Sequence, residues 1–235
     1  MKNFWIVLIL LLPARGSSQP VATWYAGFQL PVAIGAYQEA GDPDIGGGGR
    51  FAFLVRPTST FPFQIGLDIG LAGRGKAMET IPLSVAGFVD NYKVRASNNL
   101  FSMGLLLRFE PFAGKRLSPY LEGSAGGNDF YSQVRFYQKN GGGNAQTAGR
   151  KSDYAKDRWA FFYGGSAGLK LALGKKRQGG LELRCAYLRG GKTAYNNQPR
   201  FDDAGILAAE RVSSATDMLV PQIGGWINLR EKKRP

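Results

Sequence analysis

Eight ionisable residues, Arg50, Arg56, Asp68, Arg108, Glu122, Lys170, Glu182 and Arg184, share one local setting. Each falls on the small or polar side of a stretch in which every second residue is large and apolar. Alternation of this kind sends successive side chains to opposite faces of a strand. All eight are therefore expected to turn away from the apolar faces. If those faces line one enclosed space, isolated charges there are expensive unless paired. Asp68, Arg108, Glu122, Glu182 and Arg184 are accordingly expected to form an interior salt-bridge network. The chemistry open to it is that of a gate or proton path, or that of a plug that stops leakage; the plug is the simpler expectation.

Other chemistry is scarce. The chain has no histidine, which removes the Ser/His hydrolase arrangement and the commonest metal ligand. Its one cysteine, Cys185, cannot build a disulfide or a thiolate metal site, and reads as a small outward-facing apolar residue. Asp202 and Asp203 sit in a polar stretch that reads as a solvated loop. The glycine run Gly46 to Gly49 is not followed by Gly-Lys-Ser/Thr, so it is no phosphate loop. No catalysis, cofactor or metal is expected. The formal net charge is +13. The basic residues lie between apolar stretches and in the tail rather than on one basic element, which argues against nucleic acid and for anionic headgroups or acidic glycan. Lys139, Arg150, Lys151, Lys156 and Arg200 are the loop residues expected to meet lipid phosphates.

The elements that must position these groups are strands. In Phe61 to Leu71 the odd positions are Phe, Phe, Ile, Leu, Ile and Leu, and the even ones are Pro, Gln, Gly, Asp and Gly. The same pattern predicts strands over Thr23–Tyr37, with Pro31 at a bulge, and over Arg50–Arg56, Leu100–Phe109, Pro119–Tyr137, Arg158–Leu173, Leu181–Arg189 and Met218–Arg230. In Pro119–Tyr137 the phase slips around Gly126-Gly127, which a glycine bulge would explain. Long connectors are expected after strands one, three, five and seven, including Gln38–Gly49, Arg74–Asn99, with a strand extension possible over Ile81–Val89, and Gly190–Thr216. Short ones, Pro57–Thr60, Glu110–Ser118 and Gly174–Gly180, are expected after two, four and six. Met1 to Ser18 has Lys2, the apolar run Phe4–Leu12 and small residues at Gly16-Ser17-Ser18, and reads as a signal peptide. Residues 19–235 then form one domain that ends in a basic tail.

Recurrence of the pattern at about 9–11 residues fits tilted strands that cross a bilayer. After the N-terminus no apolar run approaches the roughly 18 residues of a transmembrane helix. The expected fold is all-β: a transmembrane antiparallel up-and-down barrel of about eight strands, with four long extracellular loops and three short periplasmic turns. Pro119–Gly127, PYLEGSAGG, and Gly180–Thr193, GLELRCAYLRGGKT, resemble paired strands of the small outer-membrane β-barrels of Gram-negative bacteria, OmpA-like in their barrel. The stretch Gln222–Leu229 looks like a degenerate assembly signal, although members of that family usually end in an aromatic residue. The resemblance implies residence in the outer membrane. The expected role is structural or interactive, with loops or turns that bind lipopolysaccharide, a surface partner or another membrane subunit. A small porin-like pore, or an accessory subunit of an outer-membrane secretion or assembly complex, is the alternative. A soluble lipocalin-type barrel would need the opposite placement of its apolar faces.

Overall fold

A computed structural model describes residues 21–40, 46–58, 61–85, 88–138, 159–175, 177–196, 200–201, 207–208 and 211–229. For 77, 81–85, 88–93, 134–138, 200–201 and 207–208 only the backbone is described. The expected signal peptide, residues 1–18, lies outside the described residues. The elements in chain order are β1 (Val21–Gln29), β2 (Val32–Ala33), the short helix α1 (Ala36–Glu39), β3 (Gly47–Arg56), β4 (Phe63–Val85), β5 (Phe88–Phe109) and β6 (Leu117–Gln138). They are followed by β7 (Trp159–Leu173), β8 (Gly179–Gly190), β9 (Lys192–Asn196), β10 (Arg200–Phe201), β11 (Leu207–Ala208), β12 (Arg211–Ala215) and β13 (Met218–Leu229).

Eight of these strands, β1, β3 to β8 and β13, pair in chain order, and β1 pairs with β13 from Ala22↔Leu229 to Gln29↔Gln222. Every pairing in the ring is antiparallel. The fold is thus a closed eight-stranded up-and-down barrel, as the alternation requires: closure satisfies the edges that an open sheet would leave bare. Its faces are inverted relative to a water-soluble barrel. Phe161 is 64% exposed, Leu121 62% and Leu105 60%, whereas Arg108 is inaccessible and Glu122 is buried.

Several boundaries differ from the sequence reading. The first strand does not run to Tyr37. It breaks at Leu30-Pro31, where proline has no N–H for the ladder, resumes as β2 against Met218 and Leu219, and then turns into α1. Gly47, Gly48 and Gly49 are not loop but the start of β3. A Cβ on Gly48 would collide with the Leu71 carbonyl oxygen, so the close ladder itself requires glycine there. The stretch Arg74–Asn99 is not a loop with a short extension. β4 and β5 stay paired as far as Val85↔Phe88. The glycine bulge expected at Gly126-Gly127 is absent: β6 keeps one register from Tyr92↔Gln138 to Phe109↔Leu121 on one side and from Leu117↔Leu171 to Asp129↔Trp159 on the other. The interior merely changes from polar Glu122 and Ser124 to apolar Phe130 along one face, which mimics a slip in sequence. The register shift lies between Gly73 and Lys76 of β4. Gly75 adopts φ 117° there, a conformation that L side chains resist. Finally, Gly190–Thr216 contains β9 paired with β12 and β10 paired with β11.

The interior is filled in layers. Tyr25, Ala52, Leu54, Leu106, Ala172 and Trp226 pack together in the half nearer the short turns. Tyr37, Leu100, Phe130, Ala160, Ala186, Tyr195, Met218 and Val220 pack in the half nearer the long connections.

Candidate functional site

The barrel brings all eight ionisable residues named from alternation to the interior. Arg108 and Glu122 face each other across the β5–β6 ladder, and Glu182 and Arg184 come from β8. Glu122 accepts hydrogen bonds from Arg108 Nε at 2.8 Å, from Arg184 Nε at 2.8 Å and from Ser166 Oγ at 3.1 Å. Arg184 Nη2 lies 2.6 Å from the same carboxylate. Arg108 Nη2 donates to Glu182 Oε1 at 2.9 Å, and the Tyr120 hydroxyl donates to that oxygen at 2.5 Å. Arg50 Nε donates to Asp68 Oδ1 at 2.8 Å, and Arg50 Nη1 stands 3.5 Å from Glu182 Oε2. Arg184 Nη1 donates to Gln222 Oε1 at 2.8 Å. The five residues expected to form a network are therefore linked, with Arg50 as a bridge between Asp68 and Glu182.

Stacking completes the solvation of Arg108. Its Nη1 has no hydrogen-bond partner among the described residues. The guanidinium carbon instead lies 3.8 Å from the centre of the Tyr120 ring and 4.4 Å from that of Tyr25, where the ring quadrupoles attract a cation.

A second cluster was not legible as a site. Glu110, assigned by sequence to a short turn, is buried at the base of the barrel. Its carboxylate accepts from Arg56 Nη2 at 2.6 Å and from Gln64 Nε2 at 2.5 Å, and Lys170 Nζ lies 3.2 Å away. Lys170 Nζ also lies 4.2 Å from the centre of the Trp226 ring. The signal was available: Glu110 continues the parity of Leu106 and Arg108 by one step, and its N–H still bonds the Pro62 carbonyl at 2.7 Å. Across both clusters five cations, Arg50, Arg56, Arg108, Lys170 and Arg184, face four carboxylates, Asp68, Glu110, Glu122 and Glu182.

Nearer the long connections the chemistry changes. Arg74, the residue beside the β4 register shift, enters a box of aromatics, with its guanidinium carbon 4.6 Å from the Tyr37 ring centre, 5.1 Å from Tyr195 and 5.2 Å from Phe130. α1 supplies Tyr37, and the β9–β12 hairpin supplies Tyr195. Between box and network lies a cavity of about 30 Å³ bordered by Asp68, Ser124, Asn128, Arg184 and Gln222, room for about two waters.

Arg108 and Leu54 have no accessible surface, which a continuous aqueous channel past them would give them. Cys185 lies on the exposed exterior of β8. Of the loop cations expected to meet lipid, Lys139, Arg150, Lys151 and Lys156 lie outside the described residues, as do Asp202 and Asp203. For Arg200 only its backbone in β10 is described.

No family model matches the chain, and no curated protein matches it. Solved structures do. Neisserial surface protein A is similar at 12% identity over 92% of this chain and 100% of its own, with a TM-score of 0.44. The outer membrane protein OprG from Pseudomonas aeruginosa is similar at 14% identity over 92% and 99%, also at 0.44. A major outer membrane protein from Thermus thermophilus is similar at 10% identity over 89% and 99%, at 0.45.

Proposed function

We propose that this chain is an integral outer-membrane barrel with a closed lumen and no catalytic role, and that its loop end carries its function by binding a surface partner, lipopolysaccharide or another membrane subunit. The observation that carries the reading is the pairing of an apolar exterior with a filled, ion-paired interior. The outward residues of β4 from Phe63 to Leu71 are all large and apolar, about the 9–11 residues that a tilted strand needs to cross a bilayer. Aromatics stand at both rims. Phe63 and Phe109 lie 5.0 Å apart near the short turns, and Phe101 and Trp159 lie 6.5 Å apart at the other end, as in an interfacial girdle. Water is a poor solvent for such a belt, and hydrocarbon a good one.

The length of the central hairpin supports a role at the loop end. Twenty-three residues in β4 span about 75 Å, or about 55 Å along the barrel axis at a tilt of about 45°, roughly twice the height of an apolar band of about 25 Å. The outward residues beyond Leu71 are no longer uniformly apolar: Lys76 and Thr80, on either side of Met78, suit water rather than lipid. A paired hairpin of this reach presents a surface at low conformational entropy, which favours recognition over mere closure.

Two measurements test the reading. On separated membranes the folded chain should run in the outer-membrane fraction and change mobility on boiling. In a planar bilayer it should give no steady ohmic conductance. A soluble, unshifted band would overturn the membrane placement. Steady conductance by the folded chain would overturn the closed lumen in favour of a pore.

A further inference from the structure

At the base of the barrel, below the Glu110 cluster, opens a cavity of about 150 Å³. Four cations border it: Arg56 and Lys170 from inside the barrel, and Lys115 and Arg177 from the two turns that frame its mouth. Glu110 is its one acidic neighbour among the described residues. Glu110 is already engaged by Arg56, Gln64 and Lys170, so its charge does not balance the outer pair. Lys115 has no side-chain partner among the described residues. On the opposite wall Asn228 accepts from Thr23 through Oδ1 at 2.8 Å, which leaves its amide N–H groups to the cavity.

Arg177 adds a second, independent observation. It is the one non-glycine described residue with positive φ, at 49°, a region that costs L residues steric strain. A turn that needs this conformation is best served by glycine; here an arginine occupies it. Its Nη1 donates to the Gly114 carbonyl at 3.1 Å, which clips the β7–β8 turn to the β5–β6 turn across the mouth. That bond holds the guanidinium at the cavity rim and leaves its remaining N–H groups for another acceptor.

We propose that this cavity is a binding site for a phosphate group, with Lys115, Arg177, Lys170 and the Asn228 amide as donors. The volume suits one tetrahedral oxyanion with a few waters, since a single water needs about 10–15 Å³. Surplus cations, forked guanidinium donors and a neutral amide form the donor set that a phosphate requires. The group can come from free phosphate or from a phospholipid headgroup at the barrel rim. The site does not depend on what the loop end binds.

The test is calorimetric titration of the refolded full chain with inorganic phosphate in octyl glucoside, at an ionic strength fixed with chloride. Saturable one-site binding is expected. Arg177→Gly keeps the turn, because glycine accepts the positive φ, and Lys115→Gln changes an exposed side chain. Each should weaken binding at least about tenfold, the loss expected from one charge-assisted hydrogen bond. Lys175→Gln removes a neighbouring charge that does not border the cavity and should leave the affinity within about twofold, well under the tenfold of one such bond. Absence of saturable binding, or equal weakening by Lys175→Gln, overturns the proposal. A repeat in phosphatidylglycerol nanodiscs identifies the source: loss of the phosphate signal there assigns the site to lipid phosphate, and its retention assigns it to the free anion.

Discussion

Truncating Glu122 to alanine is the sharpest probe of the central network. The carboxylate takes Arg108 Nε and Nη2 at 2.8 Å each, Arg184 Nε at 2.8 Å and Nη2 at 2.6 Å, and the Ser166 hydroxyl at 3.1 Å. Without it Arg108 retains Glu182 and its two tyrosine rings, and Arg184 retains only Gln222 and Ser166. Removing one partner of a buried pair costs about 3–5 kcal/mol because the remaining charge is left uncompensated. With two cations partly orphaned and partly rescued, the expected loss is about 4 kcal/mol. Glu122→Gln keeps the shape and one acceptor oxygen, and should cost about 1.5–3 kcal/mol, the range for a hydrogen bond to a charged group. Combining Glu122→Ala with Arg184→Met removes the more exposed orphan and should recover about 1–2 kcal/mol of the single-mutant loss. Equilibrium urea unfolding in vesicles, followed by tryptophan fluorescence and by gel mobility, reads all three. A Glu122→Ala loss below about 1 kcal/mol, well short of that range, or a double variant less stable than the single one, would refute the view that Glu122 neutralises this pair.

Three further outcomes follow from the same geometry. Glu110→Ala strands Arg56 and Lys170 and should destabilise the barrel by about 3–5 kcal/mol in the same unfolding assay, whereas a true turn residue would be neutral. Gly48→Ala places a methyl on the Leu71 carbonyl and the Ala72 Cα and should cost about 1–3 kcal/mol; Gly123→Ala, with nothing within 4 Å of the new Cβ, should stay near wild type. Leu105→Arg puts a cation on the exposed apolar face and should cost about 2–4 kcal/mol in a bilayer if that face meets hydrocarbon. No loss in vesicles would count against the membrane placement.

Alternation carried the fold because it is a property of residue pairs and survives any uncertainty about strand ends. Phe63, Ile65, Leu67, Ile69 and Leu71 lie outward and Gln64 and Asp68 inward for a reason local to the chain. The same parity placed Arg108, Glu122, Glu182 and Arg184 on inner faces, but which cation meets which carboxylate depends on the tilt and stagger of closure. Arg108 reaches Glu182 across 74 positions of sequence, and no local pattern encodes that contact. The errors have a common cause. β4 and β5 keep their ladder beyond Leu71 and Phe101, where the exposed positions of β4 mix Lys76 and Thr80 with Met78, so strict apolar alternation ends before pairing does. Gly47–Gly49 lack side chains and so give no alternation to read, although close approach to β4 requires that. Phe130 is out of phase only with a lumen that is polar along its whole length, whereas the half nearer the long connections is packed with aromatics.

A membrane barrel faces an ambiguity that a soluble one does not, because a packed apolar lumen and a lipid bath reward the same side chains. A strand of uniformly apolar residues would sit almost equally well in either orientation. A slip of one residue in β5 would bring Leu107 into the lumen and turn Arg108 to the exterior, since the side-chain period is two. In a bilayer that exchange costs about 2–4 kcal/mol for the arginine alone, and it also takes from Glu122 and Glu182 the guanidinium they share. Parallel slips in β6 and β8 would expose Glu122, Glu182 and Arg184 in turn. An ion-paired lumen adds little net stability over a well-packed apolar one, but it separates the correct register from its neighbour by several such terms at once. The layer is concentrated near the short turns, where the strands are joined most tightly and where an error in register would propagate through the whole ring. The outer half, stapled by α1 and by the β9–β12 hairpin, is free to be aromatic.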